Sequence, residues 1–438
     1  MKPETESLCP VCLEAVPARK IIKGKDVFLE KTCAAHGRST VQVAKDAKRF
    51  FDKTFDLPGK AFVPITTYHG RCGEDCGWCD AHTQHVCTGL IEVTDCCDLA
   101  CPICYFGDKG KNHISLDEFR ARLAALLKVE GGKLEVLQIS GGECLLHPAF
   151  CDLVDEALKH DIGRILVNTN GLALLRDDAV FEKIRAHRDR IEIYLQFDGF
   201  DDDVSERLRG RRLVAAKREI IEKLNAAEIK ICLAVTVYEG NLAQIPAILA
   251  LAVKTRHISG ITFQRLTKVG SAAGCDIATV LQEDILLAIA SSGMAAYEDI
   301  VPLPCSHENC TSLGFLFCQG DKVYSLGAHV DLAQCKDKIA NRIAFDKSIL
   351  DYLRKDACDC FIGRLLGGSF MLEKLQAFAE GGGSCHEDMK IVRLVVKNFM
   401  DAGTFDFERV RKCCTGVSAG DGKIVPFCIH NALKGRPP

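Results

Sequence analysis

The chain has 438 residues, a formal net charge of −3 and 25 cysteines. So small a charge gives no electrostatic pull toward nucleic acid, and no apolar run approaches the roughly 18 residues that span a bilayer. A soluble, cytoplasmic protein is expected, with room for peripheral contact at a membrane. The cysteines cluster at ligand spacing instead of spreading as loop staples, which in a reducing compartment points to metal and not to disulfides.

Residues 1–60 open the chain as a strand-rich ribbon with a linker. Cys9, Cys12, Cys33 and His36 have the spacing of a two-knuckle metal ribbon, with Gly37 for the tight turn. A tetrahedral sulfur-rich set accepts zinc or a single iron. The flanking Arg19, Lys20, Lys23 and Lys25 read as an ordinary solvated face.

Residues 61–90 hold Cys72, Cys76, Cys79 and Cys87 as C-x3-C-x2-C-x7-C. Four thiolates in so short a span would fully ligate a 4Fe–4S cluster suited to electron transfer or structure. Zinc is the competing reading. His82 and His85, inside the loop, read as neighbours of the site and not as ligands.

Residues 91–275 form the scaffold. β-branched apolar runs predict strands at Gly89–Val93, Val136–Ser140, Arg164–Thr169, Ile191–Phe197, Lys230–Val237 and Gly260–Gln264. Amphipathic stretches at 115–128, 148–160, 177–187, 203–226 and 242–256 predict the helices between them. This alternation implies parallel βαβ units, an α/β fold built as a partial (β/α)6 barrel. Functional groups gather at the C-terminal ends of such strands.

Just after the first strand stand Cys97, Cys101, Cys104 and Tyr105, the cysteines at C-x3-C-x2-C. Three thiolates can hold three irons of a cubane and leave one iron open; a zinc knuckle or buried free thiols are the alternatives. The second strand ends in Ser140-Gly141-Gly142-Glu143, where small residues admit a ligand and a carboxylate can accept from an ammonium. The third ends in Asn168-Thr169-Asn170-Gly171 and the fourth in Gln196-Phe197-Asp198-Gly199.

Taken together these segments resemble the radical SAM superfamily. The resemblance implies that Cys97, Cys101 and Cys104 bind a 4Fe–4S cluster whose open iron chelates S-adenosylmethionine, which is cleaved to a 5′-deoxyadenosyl radical. It implies that Tyr105, Gly141, Gly142, Glu143, Asn170, Gln196 and Asp198 line the cofactor site. Cys96 then falls where relatives often carry arginine and reads as a non-ligand. Cys144 replaces a proline usual after the glutamate.

A closer resemblance, to the tetraether lipid synthase-like branch, runs through Cys76-Gly77-Trp78-Cys79, Ile91-Glu92-Val93-Thr94, Pro302-Leu303-Pro304-Cys305, Phe399-Met400-Asp401 and Pro426-Phe427-Cys428. Some members of that branch are named pterin methyltransferases. It implies that residues 276–438, irregular and cysteine-rich, hold a third 4Fe–4S cluster from Cys305, Cys310, Cys413 and Cys428, with Cys414 as competitor. The implied chemistry is hydrogen abstraction from a lipid alkyl chain and C–C bond formation, with a flavodoxin- or ferredoxin-type reductant. Methyl transfer to a pterin or other heterocycle is the alternative, and a non-catalytic electron carrier is disfavoured by the open three-cysteine site. Cys144, Cys151, Cys232 and Cys275 read as core residues, while Cys318, Cys335, Cys358, Cys360 and Cys385 stay unassigned. Arg209 and Arg211 read equally as surface charge or as a phosphate or carboxylate site, and Tyr194 and Tyr238 as packing.

Overall fold

A computed structural model describes residues 4–70, 72, 77–107, 109–334, 336–343 and 389–433. Cys76, Cys335, Cys358, Cys360 and Cys385 lie outside the described residues. No helix among the described residues is long and apolar enough to cross a membrane.

The N-terminal ribbon is an antiparallel sheet of β1 (Glu4–Leu8), β2 (Ala15–Lys23), β3 (Asp26–Cys33) and β4 (Gly37–Ala44), paired in that order. Gly37 turns the chain between β3 and β4 at φ +73°, a conformation only glycine adopts freely. The ribbon docks on the C-terminal segment. Lys20 bridges Asp406 at 3.0 Å and Glu408 at 2.7 Å, and Lys31 donates to the Leu8 carbonyl at 2.9 Å and to that of Ala402.

The scaffold strands are β5 (Thr88–Glu92), β6 (Lys133–Ser140), β7 (Asp161–Thr169), β8 (Ile191–Gln196), β9 (Lys230–Val237) and β10 (Ile258–Arg265), all parallel and in sequential order. Helices Leu116–Val129, Phe150–Leu158, Asp178–Ala186, Val214–Ala226 and Ile245–Lys254 connect them. The first starts on a capping residue: the Ser115 hydroxyl accepts from the Glu118 amide, and Asp117 and Glu118 favour the positive end of the helix dipole. One predicted helix, 203–226, is two. Asp202–Arg209 stops at Gly210, which caps it at φ +73°, and a second helix begins at Val214.

The chain from Pro302 onward is more regular than its composition predicts. After β11 (Val301–Pro302) come β12 (Thr311–Gln319), β13 (Lys322–Ser325), β14 (Met389–Lys397), β15 (Thr415–Ser418) and β16 (Ile424–Pro426). β14 pairs parallel to β10 and β15 pairs parallel to β5. The six-strand core is thus extended by a parallel strand at each edge, and β12 and β16 continue the sheet antiparallel. Leu394–Val396 of β14 is apolar on both faces because it is covered on both, so it lacks the polar alternation that announces a half-exposed strand.

Candidate active site and metal centres

One cavity of about 300 Å³ runs through the strand-enclosed interior. Cys97, Cys101, Cys104, Tyr105, Gly141, Gly142, Glu143, Asn170 and Gln196 all line it, so the sequence-predicted residues converge on one space. Asp198 does not line it. It sits behind Arg209, which does, and is 5% exposed.

The glycines are needed for backbone contact. A Cβ on Gly141 would lie 2.3 Å from the Thr94 carbonyl oxygen, and one on Gly142 would lie 2.3 Å from that of Cys96. Each would force backbone apart. The Gly142 amide donates to Thr94 and the Glu143 amide to Cys96, each at 2.7 Å, which zips the loop after β6 to the segment that leads into Cys97. Cys144, where a proline was expected, buries its thiol and donates to the Asn168 carbonyl at 3.2 Å.

Glu143 is held on both oxygens. Oε1 accepts from the Thr169 hydroxyl at 2.6 Å and the Leu145 amide at 3.2 Å, and Oε2 accepts from the Asn170 amide at 2.7 Å. One lone pair of Oε2 remains for a further donor. Burial pushes this carboxyl up to about 7 against the three donors that lower it. The Asn170 side chain is itself engaged, by Asp98 at 2.7 Å and by the Leu172 amide at 2.8 Å. Gln196 accepts from Lys217 at 2.7 Å, and burial lowers that ammonium to about 7.

Lys217 escaped sequence reading because it lies on a helix among ordinary surface charges. Arg209, read equally as surface charge or as a phosphate or carboxylate site, is 12% exposed and paired with Asp198. Burial raises the Cys101 thiol, and the Arg209 guanidinium beside it counters that rise. Burial also pushes the Cys97 thiol up to about 12. Metal binding must therefore displace a proton there.

The cysteines outside this loop sort differently from their order in the chain. Cys9, Cys12, Cys33 and His36 come together with all ligand atoms within 4.8 Å of one another, as the ribbon spacing predicts. Cys12 and Cys33 are 3.9 Å apart and Cys33 lies 3.5 Å from His36 Nδ1. Tetrahedral zinc with bonds of about 2.3 Å places its sulfurs about 3.8 Å apart, so the set fits a single ion.

Cys87 joins Cys305 and Cys414 in a second group, also within 4.8 Å and wholly buried. Among the described residues, Cys72 and Cys79, its neighbours in sequence, are not part of that group. The reason is strand pairing: Thr88 of β5 opposes Thr415 of β15, so the residue before each, Cys87 and Cys414, are set side by side. Contacts from Cys305 and Cys87 hold the Cys414 thiol well below its usual range, while burial pushes the other two up. His85 lies 3.3 Å from the Cys87 sulfur and its other nitrogen meets Glu130 at 2.9 Å. Cys310, Cys413 and Cys428 lie near one another and adjoin Cys414, with the Arg409 Nε donating to Cys310 at 3.4 Å. Cys72 packs against the apolar cluster of Leu8, Met400, Phe405 and Phe407 that also includes Cys428.

Residues 91–252 match the family described as the radical SAM superfamily, and residues 1–45 match one described as the HMPTM N-terminal zinc ribbon domain. A 7,8-dihydro-6-hydroxymethylpterin dimethyltransferase of Methanocaldococcus jannaschii is 26% identical over 99% of this chain and 94% of its own length. A mycofactocin maturase of Mycobacterium ulcerans is 29% identical over 42% of this chain and 48% of its own. Among solved structures, SuiB of Streptococcus suis bound to S-adenosylmethionine aligns with TM-score 0.42 at 16% identity, over 48% of this chain and 47% of that one, too distantly to bear on the site.

Proposed function

Residues 91–252 form a radical SAM domain, and from that premise we propose that the protein is a radical SAM enzyme acting on a polar heterocycle of the pterin class, to which it transfers a methyl group from a second S-adenosylmethionine that leaves as S-adenosylhomocysteine. The observation that carries this reading is the chemistry of the cavity wall. Gln138, Tyr194, Thr262, Gln264 and Lys397 face the cavity from four strands, β6, β8, β10 and β14, above Arg164, Glu192 and Arg393. Tyr194 already bonds to Gln264, at 2.5 Å, and to Thr262, but an alkyl tail threaded past Gln138 and Lys397 would take those two from water without replacing their hydrogen bonds, at about 1–3 kcal/mol each. A fused heterocycle with ring N–H, amino and carbonyl groups replaces them. The lipid-tail chemistry implied by the tetraether resemblance is therefore the less suited to this wall. The relative that spans nearly the whole chain bears a pterin dimethyltransferase name.

Cys97, Cys101 and Cys104 would hold a 4Fe–4S cluster, and with S-adenosylmethionine bound it supplies reductive cleavage of the sulfonium. The rest is done by this chain. Glu143 offers its remaining lone pair to the methionyl amine. Arg209, fixed by Asp198, keeps positive charge beside Cys101. Tyr105, Phe399 and Phe427 form an aromatic group at the cavity wall, with Phe399 and Phe427 rings 4.6 Å apart, and keep water from that side.

The test is an anaerobic assay of the reconstituted protein with S-adenosylmethionine, dithionite and 6-hydroxymethyl-7,8-dihydropterin, read by mass spectrometry. Methylated pterin together with 5′-deoxyadenosine upholds the reading. Deoxyadenosine that rises with a long-chain lipid and not with the pterin would overturn it.

A further inference from the structure

At the lower end of the cavity, one carboxylate serves two guanidinium groups. Glu192, on β8, accepts from Arg393 of β14 at 3.2 Å and from the Ser259 hydroxyl at 2.6 Å, and its other oxygen lies 3.6 Å from Arg164 Nε of β7. β14 is separated from β8 in the sheet by β10 and β9, so Arg393 reaches Glu192 across the curved interior. Gly260 of β10 stands opposite Arg393, and a Cβ there would come within 3.5 Å of its Nε. The tighter contacts would be with the Arg393 carbonyl oxygen at 3.0 Å and its Cβ at 3.3 Å, so a side chain at 260 would press on the base of Arg393.

The interior of a small barrel is ordinarily filled with branched apolar side chains. Here two arginines and one glutamate occupy inward positions, which leaves one positive charge uncompensated within the group. Arg164 is 9% exposed, and its Nη1 is buried without a hydrogen-bond partner. An orphaned guanidinium donor in a buried site is costly unless something else accepts from it. Both arginines and Glu192 line the same cavity as Cys97, Cys101 and Glu143. Whatever accepts from Arg164 is therefore in reach of the reacting end.

We propose that Arg164, held by Glu192 and backed by Arg393, is the subsite for an oxyanion carried by the substrate, a phosphate ester or a carboxylate on the heterocycle's side chain. The inference rests on the heterocycle reading above and deepens it. Arginine suits the role because its planar fork matches a phosphate or carboxylate with two parallel bonds. Glu192 keeps the two guanidiniums from repelling each other and aims them, and its single charge leaves the site net positive.

The experiment is equilibrium dialysis and anaerobic turnover of the reconstituted full chain with three probes: 6-hydroxymethyl-7,8-dihydropterin, its monophosphate ester, and the 6-carboxylate. The anionic probes are expected to bind about tenfold or more tightly than the neutral one, as a charge-assisted arginine pair implies. In Arg164→Gln that preference should vanish while neutral-probe binding and iron content stay as in the wild type. Arg164→Lys should keep part of it. The phosphate and carboxylate arms show which oxyanion is preferred. Equal binding of all three probes, or a preference that survives Arg164→Gln, overturns the subsite. Preferred binding without any methylated product keeps the subsite and overturns the reaction assigned above. No binding of any probe overturns both.

Discussion

The guanidinium of Arg209 grips the carboxylate of Asp198 as a fork, Nε to Oδ2 at 2.6 Å and Nη2 to Oδ1 at 2.8 Å. Asp198 Oδ1 also accepts from the Thr236 amide at 3.0 Å, and Asn241 donates to the Asp198 carbonyl at 2.9 Å. The pair ties the end of β8 to the end of β9 and holds a fixed positive charge beside Cys101. Asp198→Asn leaves Arg209 buried with a weaker partner, and a loss of about 3–5 kcal/mol is expected. A fall in the urea midpoint and weaker binding of S-adenosylmethionine would both report it. Arg209→Lys should keep the charge but not the fork.

Glu143 gives the site a pH dependence. Its carboxyl moves from an ordinary value of 4.5 to about 7 through burial. A raised folded-state value means that the folded form holds its proton longer than the unfolded chain does. Stability is thus full below 4.5 and declines as pH rises through about 7, by about 3 kcal/mol in all. Binding of the cosubstrate amine needs the ionised form, so its affinity should strengthen over the same upper range. Urea midpoints and S-adenosylmethionine binding at pH 5, 6, 7 and 8 would show opposite trends, and Glu143→Gln should flatten both.

The sorting of the cysteines predicts which substitutions share a phenotype. Cys87→Ser, Cys305→Ser and Cys414→Ser should each remove the same metal centre, seen as the same loss of iron, sulfide and optical absorption. Cys310→Ser and Cys428→Ser should remove a different one. A Cys87→Ser protein that instead loses the same centre as Cys79→Ser would show that the local run of four is the ligand set after all.

The ribbon should behave as a unit of its own. Cys9→Ser or Cys33→Ser is expected to release one ion, with cysteine and imidazole ligation lost together. Residues 1–45 should then become sensitive to protease, while the three-cysteine loop keeps its iron. The carboxylates Asp406 and Glu408 would lose their Lys20 partner in the same step. Metal counting beside limited proteolysis separates this outcome from general unfolding.

The residues at the mouth of the sheet were legible because each motif closes over a short span. Cys97, Cys101 and Cys104 fall within eight residues, and the Gly141-Gly142-Glu143 loop follows the strand that positions it. The residues below them were not read as a site, although Arg164, Glu192 and Arg393 each interrupt a β-branched run. A charge inside an apolar strand is a signal, but its partner lies on another strand and the sequence does not say which.

The sequence by itself determined the alternation of strands and helices, the three-cysteine loop and the ribbon's four ligands, since period and spacing are local properties of the chain. Only the tertiary structure decided that β14 and β15 flank the six-strand core and that the Cys87 thiol lies within 4.8 Å of those of Cys305 and Cys414. It also decided that two arginines share one glutamate inside the cavity. Each of these depends on which strands lie side by side. That choice is settled by burial summed over the whole sheet, and no short stretch of sequence contains it.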